Sequence, residues 1–284
     1  MLNISQKTIN KKVSCSGVAL HSGAIVNITL FPAPCNSGII FKRIDLENSE
    51  IKANYKNVTE TKLGTVISNE FGAKVSTIEH LMAALWGCGI DNLIIEINGP
   101  EVPIMDGSSE PFVFLIECAG IEVQNEPRLI IEILKKVRVE DGDKFIEIKP
   151  ARDLALDLEI EFANHKIQKQ KFNYHSVNAS FKIDICRART FTFKHEIDHL
   201  QKLGLIKGGS LDNAIVVDDE GVVNQGGLRY NDEFVRHKTL DFIGDMYLAG
   251  HYILGHFSGF KTGHGVNNKF LHELFSDSTN YRLV

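Results

Sequence analysis

The sequence predicts an α+β fold of two similar domains, each a mixed β-sheet layered with helices, with a functional site at their interface. Two observations predict it. Signals for strand, helix, strand, glycine-containing loop and helix recur in the same order in both halves of the 284-residue chain, which a duplication explains most simply. Each half also sets a histidine in a helical segment: His80 is followed four and seven residues on by Ala84 and Gly87, and His237 by Asp241 and Gly244.

In the first half, residues 23–31 alternate between apolar and polar, and shorter strand signals follow at 38–44 and 65–68; these predict a sheet with one wet face. Residues 77–86 are an almost wholly apolar helix, followed by a strand at 92–97, a Pro/Gly loop at 99–111 and a helix at 111–119. The second half repeats that ending with a strand at 214–217, helices at 232–249 and 266–275, and a strand at 251–260 between them. A hairpin with arms 129–140 and 144–150 turns at Asp141-Gly142, so the boundary is placed at Glu126-Pro127, giving domains 1–126 and 127–284. A junction this short implies that the helical layers pack on each other and bring His80 and His237 together.

Composition narrows the chemistry. With 43% hydrophobic and 24% charged residues and no long apolar run, the chain reads as globular without an integral membrane segment. Its amino end lacks the basic and apolar blocks of a signal peptide, so a cytoplasmic protein is expected. Five scattered cysteines form no Cys-x-x-Cys pair, which leaves nitrogen and oxygen as metal ligands. A net charge of -5 without a dense basic stretch argues against nucleic acid as a partner.

On a helical wheel His237, Asp241 and Asp245 share one stripe; an ordinary solvated face has the same pattern. His80, among Leu81, Met82, Leu85 and Trp86, would by default be a satisfied core histidine, but the second copy favours a ligand. Two histidines and an aspartate can hold zinc with one position open. Glu79 is a candidate general base beside it, and equally the last member of a capping box, Ser76-Thr77-Ile78-Glu79. His264 sits between glycines, where neither core helix nor strand wants it. His195-Glu196-Ile197-Asp198-His199 spells the zinc-protease pattern, yet on a helix both histidines point away from the apolar stripe of Ile197, Leu200 and Leu203, so it reads as an exposed coincidence. The loop from Val102 to Ser108 reads as a fixer of the domain junction ahead of a cleft border. A non-catalytic ligand-binding protein is the alternative class.

Five segments together, Ser76-Thr77-Ile78-Glu79-His80, Pro103-Ile104-Met105-Asp106-Gly107-Ser108, Arg187-Ala188-Arg189-Thr190-Phe191, Gly208-Gly209-Ser210-Leu211-Asp212-Asn213-Ala214 and Asp232-Glu233-Phe234-Val235-Arg236-His237-Lys238, resemble the UDP-3-O-acyl-N-acetylglucosamine deacetylase family over nearly the whole chain. The resemblance implies a zinc enzyme of lipid A biosynthesis that removes acetate from an acylated UDP-sugar at a site between two similar domains. It implies His80, His237 and Asp241 as zinc ligands, with Fe(II) as a competing ion, and Glu79 as the general base. His264 would be the cationic acid, oriented by Asp245; Thr190 would bond the oxyanion and Lys238 would supply positive charge.

The resemblance further implies an apolar acyl passage in the second domain, involving Phe191, Ile197, Ala214 and Val216, which gives Ile197, Leu200 and Leu203 an alternative to core packing. A ~14-carbon chain at ~0.8 kcal/mol per methylene supplies ample affinity for it. Phe162, Lys238 and Lys261 would contact the nucleotide. A monomer working near the inner membrane surface is expected. Three residues depart from the family pattern, Thr192, Gly265 and Cys186, and none removes an implied ligand or catalytic group.

Overall fold

The computed structural model describes residues 4–163, 167–176 and 180–284. Its core is built on two five-stranded sheets with one shared plan. In the first, Val13–Val18 and Ile25–Pro32 form an antiparallel hairpin whose second strand pairs antiparallel with Leu93–Ile97; that central strand pairs parallel with Ile39–Arg43, which pairs antiparallel with Glu50–Lys52. In the second, Val137–Asp141, Lys144–Lys149, His256–Phe260, Ala155–Glu161 and Lys169–His175 repeat the order and every strand direction. Alternation makes these faces: Val26, Ile28 and Leu30 are buried while Ile25 and Asn27 are exposed, because successive side chains in a strand point to opposite sides.

Six α-helices lie among the described residues: α1 (Glu79–Cys88), α2 (Glu110–Ala119), the single turn α3 (Phe181–Asp184), α4 (Lys194–Lys202), α5 (Glu233–Met246) and α6 (His264–Ser276). The histidine-bearing helices α1 and α5 pack face to face, and nearly all their residues are buried. Gly244 permits this approach, since a Cβ there would lie 2.1 Å from the carbonyl oxygen of Glu79. α1 stops at Gly89, whose left-handed backbone (φ 74°) lets its N–H close on the carbonyls of Leu85 and Trp86. Among the described residues no helix is long and apolar enough to cross a membrane.

Several elements differ from the sequence expectation. The strand expected over residues 251–260 is two, Tyr252–Leu254 and His256–Phe260, which serve different sheets. At the break, Gly255 leaves room for the Ile148 side chain, 2.7 Å from where a Cβ would stand. The arm expected at 129–140 likewise divides into Ile130–Ile133 and Val137–Asp141, and the first piece joins Tyr252–Leu254 and Tyr281–Leu283 in a three-stranded sheet. Apolar periodicity records which residues are buried, but not the sheet in which they are buried. The last turn of the helix expected over 232–249 tightens to a 3₁₀ turn, Tyr247–Ala249.

Ser5–Ile9, in which no strand was expected, pairs with Ile121–Pro127. Beside that ribbon Arg128 bonds Asp91 at 2.8 Å and the carbonyl of Gly89 at 2.7 Å, and stacks over Tyr252 with its Cζ 4.3 Å from the ring centre. One side chain thus ties the end of α1 to the three-stranded sheet that holds Tyr252.

Candidate metal centre

His80 lies in the first turn of α1, and His237 and Asp241 are one turn apart on α5, so the crossing of the two helices sets their spacing. The ligating atoms of all three lie within 4.8 Å of one another and all three residues are buried. Nε2 of His80 is 3.5 Å and Nε2 of His237 is 3.4 Å from the same oxygen, Asp241 Oδ1. Donors bound tetrahedrally at ~2.0–2.1 Å stand ~3.3–3.4 Å apart, so the trio fits a zinc-sized ion. Asp241 Oδ1, buried with no hydrogen-bond partner, is a group whose burial a cation would compensate. His237 Nδ1 donates to the carbonyl of Ala188 at 3.1 Å, which leaves Nε2 as the lone-pair nitrogen.

Electrostatics favour the same use. Burial pushes the His237 imidazole down to about 3 against the pull of Asp241, so it is neutral, as a ligand must be. Burial opposes the charge on Asp241, yet His237 and Lys238 hold its carboxyl well below the usual range. Lys238 Nζ bonds Asp241 Oδ2 at 2.9 Å and lies 5.6 Å from the centre of the Phe191 ring.

Glu79 is 4% exposed, and burial raises its carboxyl. It caps nothing. The chain turns at Thr77 (φ 56°), α1 begins at Glu79 itself, and Ser76 Oγ donates to the carbonyl of Pro100 at 3.1 Å. The capping alternative is therefore overturned: the helix starts too late for Glu79 to be its third residue. Instead Glu79 Oε2 accepts the backbone N–H of Thr65 at 3.0 Å, and Oε1 lies 3.7 Å from Nε2 of His264. His264 opens α6, and its Nδ1 bonds Asp245 Oδ2 at 2.8 Å. Burial works to lower its pKa, but Asp245 and Glu79 prevail and push it up to about 10. A buried carboxylate and a cationic imidazole thus flank the trio.

A cavity of about 430 Å³ joins Glu79, His80, Thr190, Phe191, His237, Lys238, Asp241 and His264. Leu63, Asp141 and Lys144 also line it, and sequence reasoning missed them. Asp141 and Lys144 flank a hairpin tip whose turn was legible from Asp141-Gly142, but nothing local reports where a hairpin leans. An apolar cavity of about 340 Å³ adjoins it and shares Leu20, Leu63, Thr190 and Phe191. Ile197, Leu200, Ala214, Val216 and Thr192 line this second cavity. Its other wall, Leu20, His21 and Leu63, comes from the first half of the chain. Leu203 is 55% exposed and does not line it.

Phe162 packs edge-on against Phe191 at 5.6 Å between ring centres. Lys261 lies outside the lining of both cavities and pairs with Asp143 at 2.7 Å and Glu161 at 3.2 Å. His195 and His199 on α4 are exposed and join no metal-ligand trio among the described residues. In the Val102–Ser108 loop the carbonyl of Gly107 accepts the N–H of Thr190 at 2.8 Å, and Ile104 faces the cavity. A Cβ on Gly265 would meet only Thr61 Oγ1, at 3.5 Å. Cys186 donates to the carbonyl of Lys182, and burial pushes its thiol up to about 12.

Residues 6–276 match the family model described as UDP-3-O-acyl N-acetylglycosamine deacetylase. The chain is similar to proteins named UDP-3-O-acyl-N-acetylglucosamine deacetylase from Tolumonas auensis (48% identical, covering 99% of this chain and 93% of that protein), Vibrio campbellii (48%, covering 96% and 91%) and Haemophilus ducreyi (48%, covering 99% and 93%).

Proposed function

Because the chain belongs to the UDP-3-O-acyl N-acetylglycosamine deacetylase family, we propose that His80, His237 and Asp241 hold a zinc ion and that Glu79 and His264 carry the proton transfers of its reaction. The enzyme hydrolyses the N-acetyl group of UDP-3-O-acyl-N-acetylglucosamine in lipid A biosynthesis, releasing acetate and UDP-3-O-acyl-glucosamine. The observation that carries the assignment of residues is the convergence of an imidazole from each half on one buried carboxylate oxygen.

Zinc held by His80, His237 and Asp241 would supply Lewis acidity, lowering the pKa of a bound water to ~7 and polarising the amide carbonyl. Glu79, held by the N–H of Thr65, takes the proton as the water oxygen attacks the carbonyl carbon. The Thr190 hydroxyl and the charge of Lys238 favour the negative charge that grows on the carbonyl oxygen. As the C–N bond breaks, His264 gives its Nε2 proton to the departing nitrogen while Asp245 keeps the ring aligned. Fe(II) competes for the same nitrogen and oxygen donors.

The acyl chain lies in the cavity lined by Phe191, Ile197, Ala214 and Val216, and Phe162 and Lys261 border the nucleotide end. Residues 1–126 and 127–284 are the two duplicated units. The protein works as a cytoplasmic monomer that meets its amphiphilic substrate at the inner membrane surface. The test is acetate release after chelation and after zinc restoration: activity should vanish and return, and turnover that persists in the stripped enzyme would refute the metal mechanism.

A further inference from the structure

Thr65 stands between the two proton carriers, and beyond its backbone contact with Glu79 the mechanism above gives it no part. It is 2% exposed and follows Leu63 and Gly64, whose positive φ values of 64° and 156° turn the chain so that the Thr65 N–H points inward. Its two polar groups serve different partners. The backbone N–H donates to Glu79 Oε2 at 3.0 Å. The hydroxyl donates to Asp245 Oδ1 at 2.6 Å and lies 3.2 Å from Nδ1 of His264. The second oxygen of Asp245 receives Asn267 Nδ2 and His264 Nδ1, each at 2.8 Å.

We propose that Thr65 is a positioning residue for the reaction: its hydroxyl fixes the carboxylate that aligns His264, while its backbone fixes Glu79, so one residue sets the placement of acid relative to base. The proposal rests on the roles given above to Glu79 and His264. A buried carboxylate with donors on both oxygens has one orientation, whereas with Oδ1 unpaired it turns toward any remaining donor and takes the imidazole with it. Proton transfer to a leaving nitrogen is sensitive to such displacement, because ~1 Å of misplacement costs ~10²-fold in rate. Plain core packing would need the methyl group of Thr65 and not its hydroxyl.

Three substitutions separate these roles. Thr65→Val keeps the branched shape and the N–H but loses the hydroxyl; Thr65→Ala loses the hydroxyl without adding bulk; Thr65→Ser keeps the hydroxyl. In the zinc-loaded enzyme, Thr65→Val, or Thr65→Ala if valine disturbs folding, should lower kcat by about 10- to 100-fold with KM within about twofold of wild type. Zinc content should not change, and Thr65→Ser should restore kcat to within about threefold. The ¹⁵N signal of the His264 Nδ1–H should move in the valine enzyme and stay in the serine enzyme. On an Asp245→Ala background, Thr65→Val should cost nothing further. Wild-type kcat in a hydroxyl-free enzyme, or losses from Thr65→Val and Asp245→Ala that multiply, would overturn the proposal. Wild-type turnover by Glu79→Gln and His264→Gln would instead remove the roles on which it rests, whatever Thr65 does.

Discussion

Gly244→Ala adds one methyl group at the crossing of α1 and α5, and the structure sets its effect. The new Cβ would stand 2.1 Å from the carbonyl oxygen of Glu79, where close carbon to oxygen contacts are ~3.3 Å or more, so the backbones must part by about 1 Å. That oxygen belongs to the residue before His80, so the movement carries one ligand away from the other two. Zinc ligand distances tolerate about ±0.2 Å, so a separation several times larger takes His80 out of reach of an ion that His237 and Asp241 still hold. Zinc affinity should fall by at least about 10-fold, and kcat by about 100-fold even at saturating zinc, because Glu79 moves with the same backbone. Overpacking should also cost about 1–3 kcal/mol of stability. Zinc Kd from chelator competition, kcat from acetate release and a urea midpoint measure the three effects. Gly226→Ala, where a Cβ would meet nothing within 4 Å, is the control. Wild-type zinc affinity in the Gly244→Ala enzyme would refute the claim that this helix contact sets the ligand spacing.

His264 is pushed up to about 10 by Asp245 and Glu79 against its burial, above the ~6.5 of an unfolded histidine. Its contribution to stability is therefore complete below ~6.5 and is lost as pH rises toward about 10. Urea midpoints of the metal-free protein across that window should decline, and His264→Gln should flatten the decline; equal slopes would contradict it. Ala214→Phe should fill the apolar cavity and displace several methylenes at ~0.8 kcal/mol each, raising KM for a long-chain substrate by about 10- to 100-fold. A substrate analogue without the chain should be unaffected, and equal losses for both would remove the acyl assignment. Arg128→Ala removes the partly buried guanidinium that pairs with Asp91 and should destabilise by about 1–3 kcal/mol in denaturant titration, with a change below ~0.5 kcal/mol counting against the clamp.

Much of this molecule is legible in its sequence. The strands at 23–31, 38–44 and 92–97 and the helices at 77–86, 111–119 and 266–275 were marked by alternation or apolar stripes, and each has its counterpart within a few residues. The repeat of element signals matches the repeated sheet plan. Strands that serve two sheets were not legible, because a residue buried against either sheet has the same side chain; Gly255 reports the break only once Ile148 is seen in its place. The capping motif at Ser76 to Glu79 misled because its spacing is a local criterion, whereas the chain turns at Thr77 (φ 56°) and the helix begins only at Glu79.

The amino-acid sequence by itself determined the family, the deacetylase activity and the two histidine helices, since these depend on residue type in order and on short-range periodicity. Only the tertiary structure decided that His80 and His237 face one oxygen of Asp241, that Leu20 and Leu63 from the first half wall the apolar cavity, and that Thr65 touches both Glu79 and Asp245. The long-range pairs among them are His80 and His237, 157 positions apart, Leu63 and Thr190, 127 apart, and Thr65 and Asp245, 180 apart. They follow from how closely two backbones can pack, and spacing along the chain does not record that distance.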